Sequence, residues 1–435
     1  MMRRTVDAVF PIRSLAPLSA TSLVACVVAL LASARLLPAQ EPAPPPLSVT
    51  GAMALARTHH PALAAASARR QVAVGAARQA SAFPNPVVEW REENAGAPVA
   101  RDRFLTVFQP FDLGGRRFAL RDATRFVADA AIADSLTAAR EVQAGAAQAF
   151  FRASLARALL DVALALRTDT ERLAEIEGHR AREGAVAGLI AMRAEVEADR
   201  AKLAQATTLA AWERARAGLA LAIGLRPEQV PAVPELIPAS RATTAMLDLA
   251  ATQAIAIERR TELVALRADV ESARRRRTAE ARAVIPDVAL QLGTMESAGH
   301  SARTIGVAIP IPLFDRNAGG RQRANGEVEL AQAELLAAEQ RVRAEVAAAV
   351  EALAALGAAR LPAADTLAAR AAEVAQLTDA AYAEGGASLL ELLDARRAHA
   401  ESLTAALQWS AEVRLARLEL NRASGALLTE SLENP

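Results

Sequence analysis

Apolar positions along this chain recur with two different periods. Between Arg321 and Gly385, the residues Val328, Leu335, Val342, Val346, Ala349, Leu353 and Leu356 follow one another at steps of seven, four and three. That spacing keeps one seam of a helix apolar, as in a coiled coil. It predicts a single helix of about 60 residues, roughly 90 to 100 Å long at a rise of about 1.5 Å per residue. A matching long helix is expected over Phe118–Arg182. Shorter helical patterns cover Pro61–Ala82, Leu189–Ile223, Glu262–Ala283 and Ser388–Ala426. Laid end to end, each pair is about as long as one long helix, so the pairs are expected to pack beside the long ones.

The second period is two. Strands are expected at Val87–Asn94, Arg103–Pro110, Asp287–Met295 and Arg303–Leu313, each close to the about 9 to 11 residues of a tilted membrane-crossing strand. Val288, Leu290 and Leu292 oppose Asp287, Ala289 and Gln291, while Ile305, Val307 and Ile309 oppose Thr304, Gly306 and Ala308. Val88 and Trp90 oppose Glu89 and Arg91 in the same way. One face suits lipid and the other a polar lumen. Phe83, Trp90, Phe104, Phe108, Phe111 and Phe314 lie in or beside these segments, where an interfacial aromatic girdle is expected. Four strands cannot close a barrel, so a symmetric ring of copies is expected to complete it.

The whole pattern is written twice. Leu63 matches Leu263, Pro84 matches Pro286, Phe111 matches Phe314, Gly184 matches Gly385, and Gly224 matches Gly425, all at offsets near 200 and in one order. A period this long marks a duplicated half rather than a solenoid repeat. The expected boundaries are 47–224 for the first repeat, 225–245 for a Pro-rich linker, 246–427 for the second repeat and 428–435 for a tail.

Composition sharpens this reading. Hydrophobic residues make up 52% of the 435 residues but aromatics only 3%, which favours long, closely packed helices over a bulky core. A net charge of +1 argues against nucleic acid as a partner, and the run Arg274–Arg277 reads as a solvated helix face. Residues 1–39 read as a signal peptide: Arg3, Arg4 and Arg13 precede the apolar stretch Leu18–Ala32, and cleavage is expected near 34 or 39. Residues 40–46 form a Pro-rich linker. Cys26 is the only cysteine, so a disulfide within the chain is excluded; it is also a candidate lipidation site, ranked behind simple signal cleavage.

The segments "ALARTHHPAL", "QPFDLGGRR", "IPDVAL", "VAIPIPLFDRNAGGR", "YAEGGASLLELLDARR" and "ASGAL" together resemble the TolC-type outer-membrane efflux family from about Leu47 to Leu427. The stretch "IPIPLFDRNAGG" is most similar to members serving heavy-metal efflux of the resistance-nodulation-division (RND) type, in cobalt–zinc–cadmium or copper–silver systems. The resemblance implies a mixed, mainly α fold: a coiled-coil barrel of helices with four transmembrane strands per protomer, a homotrimer closing a twelve-stranded β-barrel in the outer membrane, and a tunnel reaching into the periplasm. It implies a periplasmic adaptor (membrane fusion) protein and an inner-membrane RND pump as partners. The alternatives are the same duct serving drug efflux or type I protein secretion, or a coiled-coil structural protein that transports nothing.

The resemblance also assigns the junctions and the tips. Pro110, Asp112, Gly114 and Gly115, and again Pro310, Pro312, Asp315, Gly319 and Gly320, mark where the chain passes from barrel to tunnel. Prolines cannot donate to a strand ladder and glycines permit the turn; Asp112 and Asp315 are candidate caps. Glu183, Gly184, Leu189, Glu384, Gly385, Ser388 and Leu389 form the periplasmic tips, read both as helix stop-and-restart punctuation and as adaptor contacts. Glu391 and Asp394 match the family's acidic pair, which threefold symmetry would turn into a carboxylate ring at the entrance. The chain departs from the family's pattern with Ala387 in place of an arginine and with Ile190 and Arg193 at the first tip's acidic positions. No cofactor, metal site or enzymatic activity is expected: the five histidines lack ligand spacing, and "GGRR" and "GGR" lack the phosphate-loop lysine.

Overall fold

The computed structural model describes residues 46–93, 101–236, 248–358 and 362–426. The expected signal peptide, Cys26, the C-terminal tail and most of the inter-repeat linker fall outside the described residues. The elements run α1 (Val49–His59), α2 (Pro61–Ser81), β1 (Val87–Glu93), β2 (Asp102–Phe111), α3 (Arg116–Arg182) and α4 (Gly188–Ile223). The same order follows again in α5 (Leu249–Arg259), α6 (Thr261–Arg282), β3 (Val288–Ser297), β4 (His300–Ala308), α7 (Ala318–Ala358), α8 (Pro362–Ala383) and α9 (Leu389–Ser424).

Helix α3 is a single helix of 67 residues, about 100 Å long. Its counterpart is divided into α7 and α8, where the heptad pattern alone predicts one helix. Residues 359–361 between them lie outside the described residues; Pro362 opens α8, a position where its missing N–H has no partner to lose within the helix. The heptad seam itself is buried: Val328, Val342, Val346, Ala349 and Leu353 are all inside.

Packing is largely alanine against alanine, which brings backbones close. Around the start of the chain, Ala52, Met53 and Ala56 of α1 meet Ala146, Ala147 and Phe150 of α3 and Leu219 and Ile223 of α4. Leu219 and Ile223 are fully buried, so truncating either to Ala should cost about 2–5 kcal/mol. Pro61 forces the preceding His60 into an extended conformation between α1 and α2. Gly224, left-handed at the end of α4, sits directly on that bend: a Cβ there would lie 2.7 Å from the His59 carbonyl.

The strands form one antiparallel sheet in the order β1-β2-β3-β4. Val88 pairs with Val107, Val107 with Leu292, and Leu292 with Ile305. Together with Trp90, Leu105 and Val307, these side chains share one exposed apolar face. Phe104, Thr106 and Phe108 lie on the opposite, half-covered face of β2. The girdle expectation is therefore corrected for Phe104 and Phe108, which strand parity puts on the face away from Trp90; Arg91 stacks on Phe104 at 4.9 Å. The last strand is also corrected, from Arg303–Leu313 to His300–Ala308. Pro310 and Pro312 have no N–H to offer a ladder, so pairing stops before them.

Candidate functional site at the two ends of the long helices

At the sheet end, α3 begins where β2 stops. Pro110 is still in register with Ala289 of β3, beyond the last pair of β1 with β2 at Phe108, so its missing N–H leaves no gap on the β1 side. Asp112 then accepts from the backbone N–H of both Arg116 and Arg117, satisfying two of the free donors that every helix start exposes. Gly115 is left-handed at φ 67° and its carbonyl accepts from Arg282 at 2.9 Å. Gly114 is pressed by the end of α6 and the turn after it: a Cβ there would stand 3.0 Å from Ile285 Cβ and 3.3 Å from the Arg282 carbonyl.

The second junction solves the same problem differently. Asp315 accepts from the Asn317 N–H at 2.8 Å, and Asn317, at φ 55°, takes the left-handed turn expected of Gly319 and Gly320. Asparagine tolerates that region because its short polar side chain bonds locally. Here the side chain amide donates to the Glu280 carbonyl and carboxylate, at 3.0 and 2.6 Å. Gly320 instead provides room, since a Cβ there would overlap Asn317 Oδ1; nothing lies near Gly319. Glu280 also reaches Arg116 at 3.8 Å, so one α6 carboxylate ties the two junctions together. Glu280 and Asn317 carry no spacing signal in the sequence beyond the preference of Asn for left-handed turns.

At the far end, α3 stops at left-handed Gly184 and α8 at left-handed Gly385. In both turns a backbone N–H reaches five residues back, from Ala185 to Arg180 and from Gly386 to Ala381, which closes the free carbonyls of the last turn. The restarts differ. Ser388 and Glu391 form a reciprocal capping box on α9, whereas α4 starts at Ala187 with no side-chain cap. The Glu391 carboxylate accepts from the Ser388 N–H and hydroxyl at 2.7 and 2.8 Å, and these bonds, the backbone one foremost, hold it below the usual carboxylate range. Glu391 and Asp394 are both exposed.

Contacts between residues about 200 positions apart bind the two tips. Arg397 pairs with Glu197 at 2.6 Å. Tyr382 donates to Glu177, a completely buried carboxylate that also takes Arg180 at 3.0 Å. Burial, then the bond to Glu177, pushes the Tyr382 phenol up to about 12. Beside these ties runs an open groove of about 520 Å³ between α4 and α9, lined by Leu189, Met192, Val196, Leu390, Leu393 and Asp394 among others. Leu189, Met192 and Leu390 are each more than 60% exposed. Of the residues assigned to the tips from sequence, Leu189, Ser388 and Leu389 line this groove, while Glu183, Gly184, Glu384 and Gly385 make the turns beside it. Tyr382, Glu177 and Arg397 have no motif of their own; only the offset between the halves hints at them.

Among the described residues, no group of three or more His, Cys, Asp or Glu side chains is arranged to hold a metal ion, and no helix is long and apolar enough to cross a membrane. Residues 254–426 match the outer membrane efflux protein family. The cobalt-zinc-cadmium resistance protein CzcC of Cupriavidus metallidurans is 26% identical over 296 residues, 67% of this chain and 69% of that protein. The fold superimposes on CusC with a TM-score of 0.73 at 18% identity, over 88% of this chain and 93% of CusC. The open-state MtrE outer membrane channel of Neisseria gonorrhoeae gives 0.73 at 20% identity, over 89% and 91%. An exposed apolar sheet is thus continued by α3, about 100 Å long; residues 254–426 carry the pattern of the outer membrane efflux protein family, and the chain has the fold of the solved outer-membrane channels.

Proposed function

We propose that three copies of this chain form a passive duct that carries divalent heavy-metal cations out of the cell, fed by an RND pump through a periplasmic adaptor. The observation that carries the cargo is the relationship to a cobalt-zinc-cadmium resistance protein along two thirds of both chains. The sheet supports a ring of copies: among the described residues β1 and β4 are edges without partners, such edges must be covered, and three sheets of four strands make a closed barrel within the range of membrane barrels. The adaptor's proposed docking place is the tip groove, a reading supported by the apolar side chains that stand exposed there. No tight metal site is needed for passage, since conduction requires weak binding.

The test is to delete the gene and restore it beside its own pump and adaptor, then measure zinc, cobalt and cadmium accumulation. Deletion should raise cell-associated metal and restoration should lower it. Unchanged metal levels together with altered drug susceptibility or protein secretion would assign the duct another cargo. The acidic pair is tested by single-channel recording of the Glu391→Gln/Asp394→Asn variant: cation preference should fall, and unaltered selectivity removes the ring from the reading.

A further inference from the structure

The formal net charge of +1 conceals a polarised molecule. The four helix ends and connections next to the sheet, residues 71–81, 111–126, 272–287 and 314–328, hold thirteen arginines against six carboxylates. The corresponding stretches at the far tips, 172–198 and 373–399, hold six arginines against ten carboxylates. Of the thirteen, Arg78, Arg125, Arg275, Arg277, Arg316 and Arg321 are exposed and make no ion pair among the described residues.

Geometry connects this charge to the apolar sheet face. Phe111 is in register with Val288 and shares the exposed face with Val107 and Leu292. Phe83 packs on Phe111 edge to face at 6.2 Å. Arg117 lies over Phe83 at 4.6 Å while one N–H donates to the Ser81 carbonyl at 2.9 Å, and Arg121 lies over Phe118 at 5.4 Å beside its ion pair with Asp122 at 2.9 Å. Arg117, Arg121 and Arg125 are four apart on one stripe of α3. Moving from strand to helix, a single continuous surface therefore passes from aliphatic side chains, through exposed Phe111, Phe83 and Phe118, to arginines. The other junction repeats the order, with Ile311, Leu313 and Phe314 exposed before Arg316.

We infer that this belt docks on the periplasmic leaflet and binds the phosphate headgroups of anionic phospholipids, with the unpaired Arg125 and the remaining N–H groups of Arg117 and Arg121 as donors. Rings at the depth of the interface and arginines just beyond it match the layering of acyl chain, glycerol and phosphate. Guanidinium pairs bidentately with phosphate, and basic residues at a membrane surface attract anionic lipid. The inference rests on the outer-membrane location and not on the cargo.

The test uses the full-length detergent-purified protein and native mass spectrometry to count bound dioleoyl phosphatidylglycerol, dioleoyl phosphatidylcholine or inorganic phosphate. The wild type should retain phosphatidylglycerol preferentially, release it as salt rises, and gain nothing from inorganic phosphate. Arg117→Gln/Arg121→Gln/Arg125→Gln should weaken retention by roughly fivefold for each arginine removed, while the triple Lys variant keeps most of it. Equal retention by wild type and the Gln variant overturns the inference, as does equal retention of the two lipids by the wild type. If the Gln variant instead loses its trimer with lipid retention per chain unchanged, the ladder is a contact between copies and the inference fails. Should that variant not fold, the salt dependence and lipid preference of the wild type decide alone.

Discussion

The junction end and the tip end of the long helices both stop and restart the chain, yet they hold it by different means. At the junctions most ties run from side chain to backbone: Asp112 takes the Arg116 and Arg117 amides, Arg282 donates to the Gly115 carbonyl and Asn317 to the Glu280 carbonyl, with the Glu280 carboxylate adding bonds to the Asn317 and Arg116 side chains. Gly114 leaves its neighbours no slack. At the tips, the ties between helices run from side chain to side chain, through Arg397–Glu197 and Tyr382–Glu177. Side-chain ties can be exchanged without remaking a helix, whereas backbone caps cannot. The contrast predicts that local opening comes more readily at the tips than at the junctions, because opening is drawn from the least stable regions of a fold.

Substitutions at the two ends can break or sharpen this contrast. The largest effect is expected for Asn317→Ala, which removes both bonds to Glu280 and places an alanine in the left-handed region. A loss of about 2–4 kcal/mol is expected from the strain and the lost hydrogen bonds together. Hydrogen exchange should then rise at the first turns of α7 and also at the C-terminal end of α6; protection unchanged in α6 would mean that Glu280 does not couple the junctions.

Next comes Tyr382→Phe, which keeps the ring but deprives buried Glu177 of a donor, costing about 1–3 kcal/mol. Proteolysis and exchange should increase at the tips alone, and equal loosening at the sheet end would erase the distinction between the ends. Ser388→Ala removes the α9 cap and should cost about 1 kcal/mol, read as fraying of the first α9 turn.

The same turn supplies a pH dependence. Glu391 is held below its ordinary range by the Ser388 bonds, so its stabilisation is complete above the unfolded carboxylate value and is lost as pH falls through the lower folded value. Exchange at the start of α9 should therefore quicken below about pH 4, while the start of α4, which has no such cap, changes less. The smallest effect is expected for Arg397→Ala: an exposed ion pair contributes about 0.2–1 kcal/mol, so trimer melting should barely move.

Periodicity alone reveals much of this fold. Heptad steps locate the buried seam of α7, alternation locates the strands and their apolar face, and paired landmarks near 200 residues apart expose the repeated order of elements. These are signals between near neighbours or between copies of one pattern, and backbone geometry converts them directly into faces and lengths. Phe104 and Phe108 show the limit of reading aromatics by position along the chain: strand parity, not proximity to a membrane segment, decides which face a ring occupies. The tertiary structure alone decided that Glu280 serves two junctions, that Tyr382 meets Glu177, and that arginines scattered over four helix ends gather beside the apolar sheet face. Those contacts join residues separated by 37 to 205 positions, with no spacing rule between them, and exist only because the packed helices bring their ends to one level.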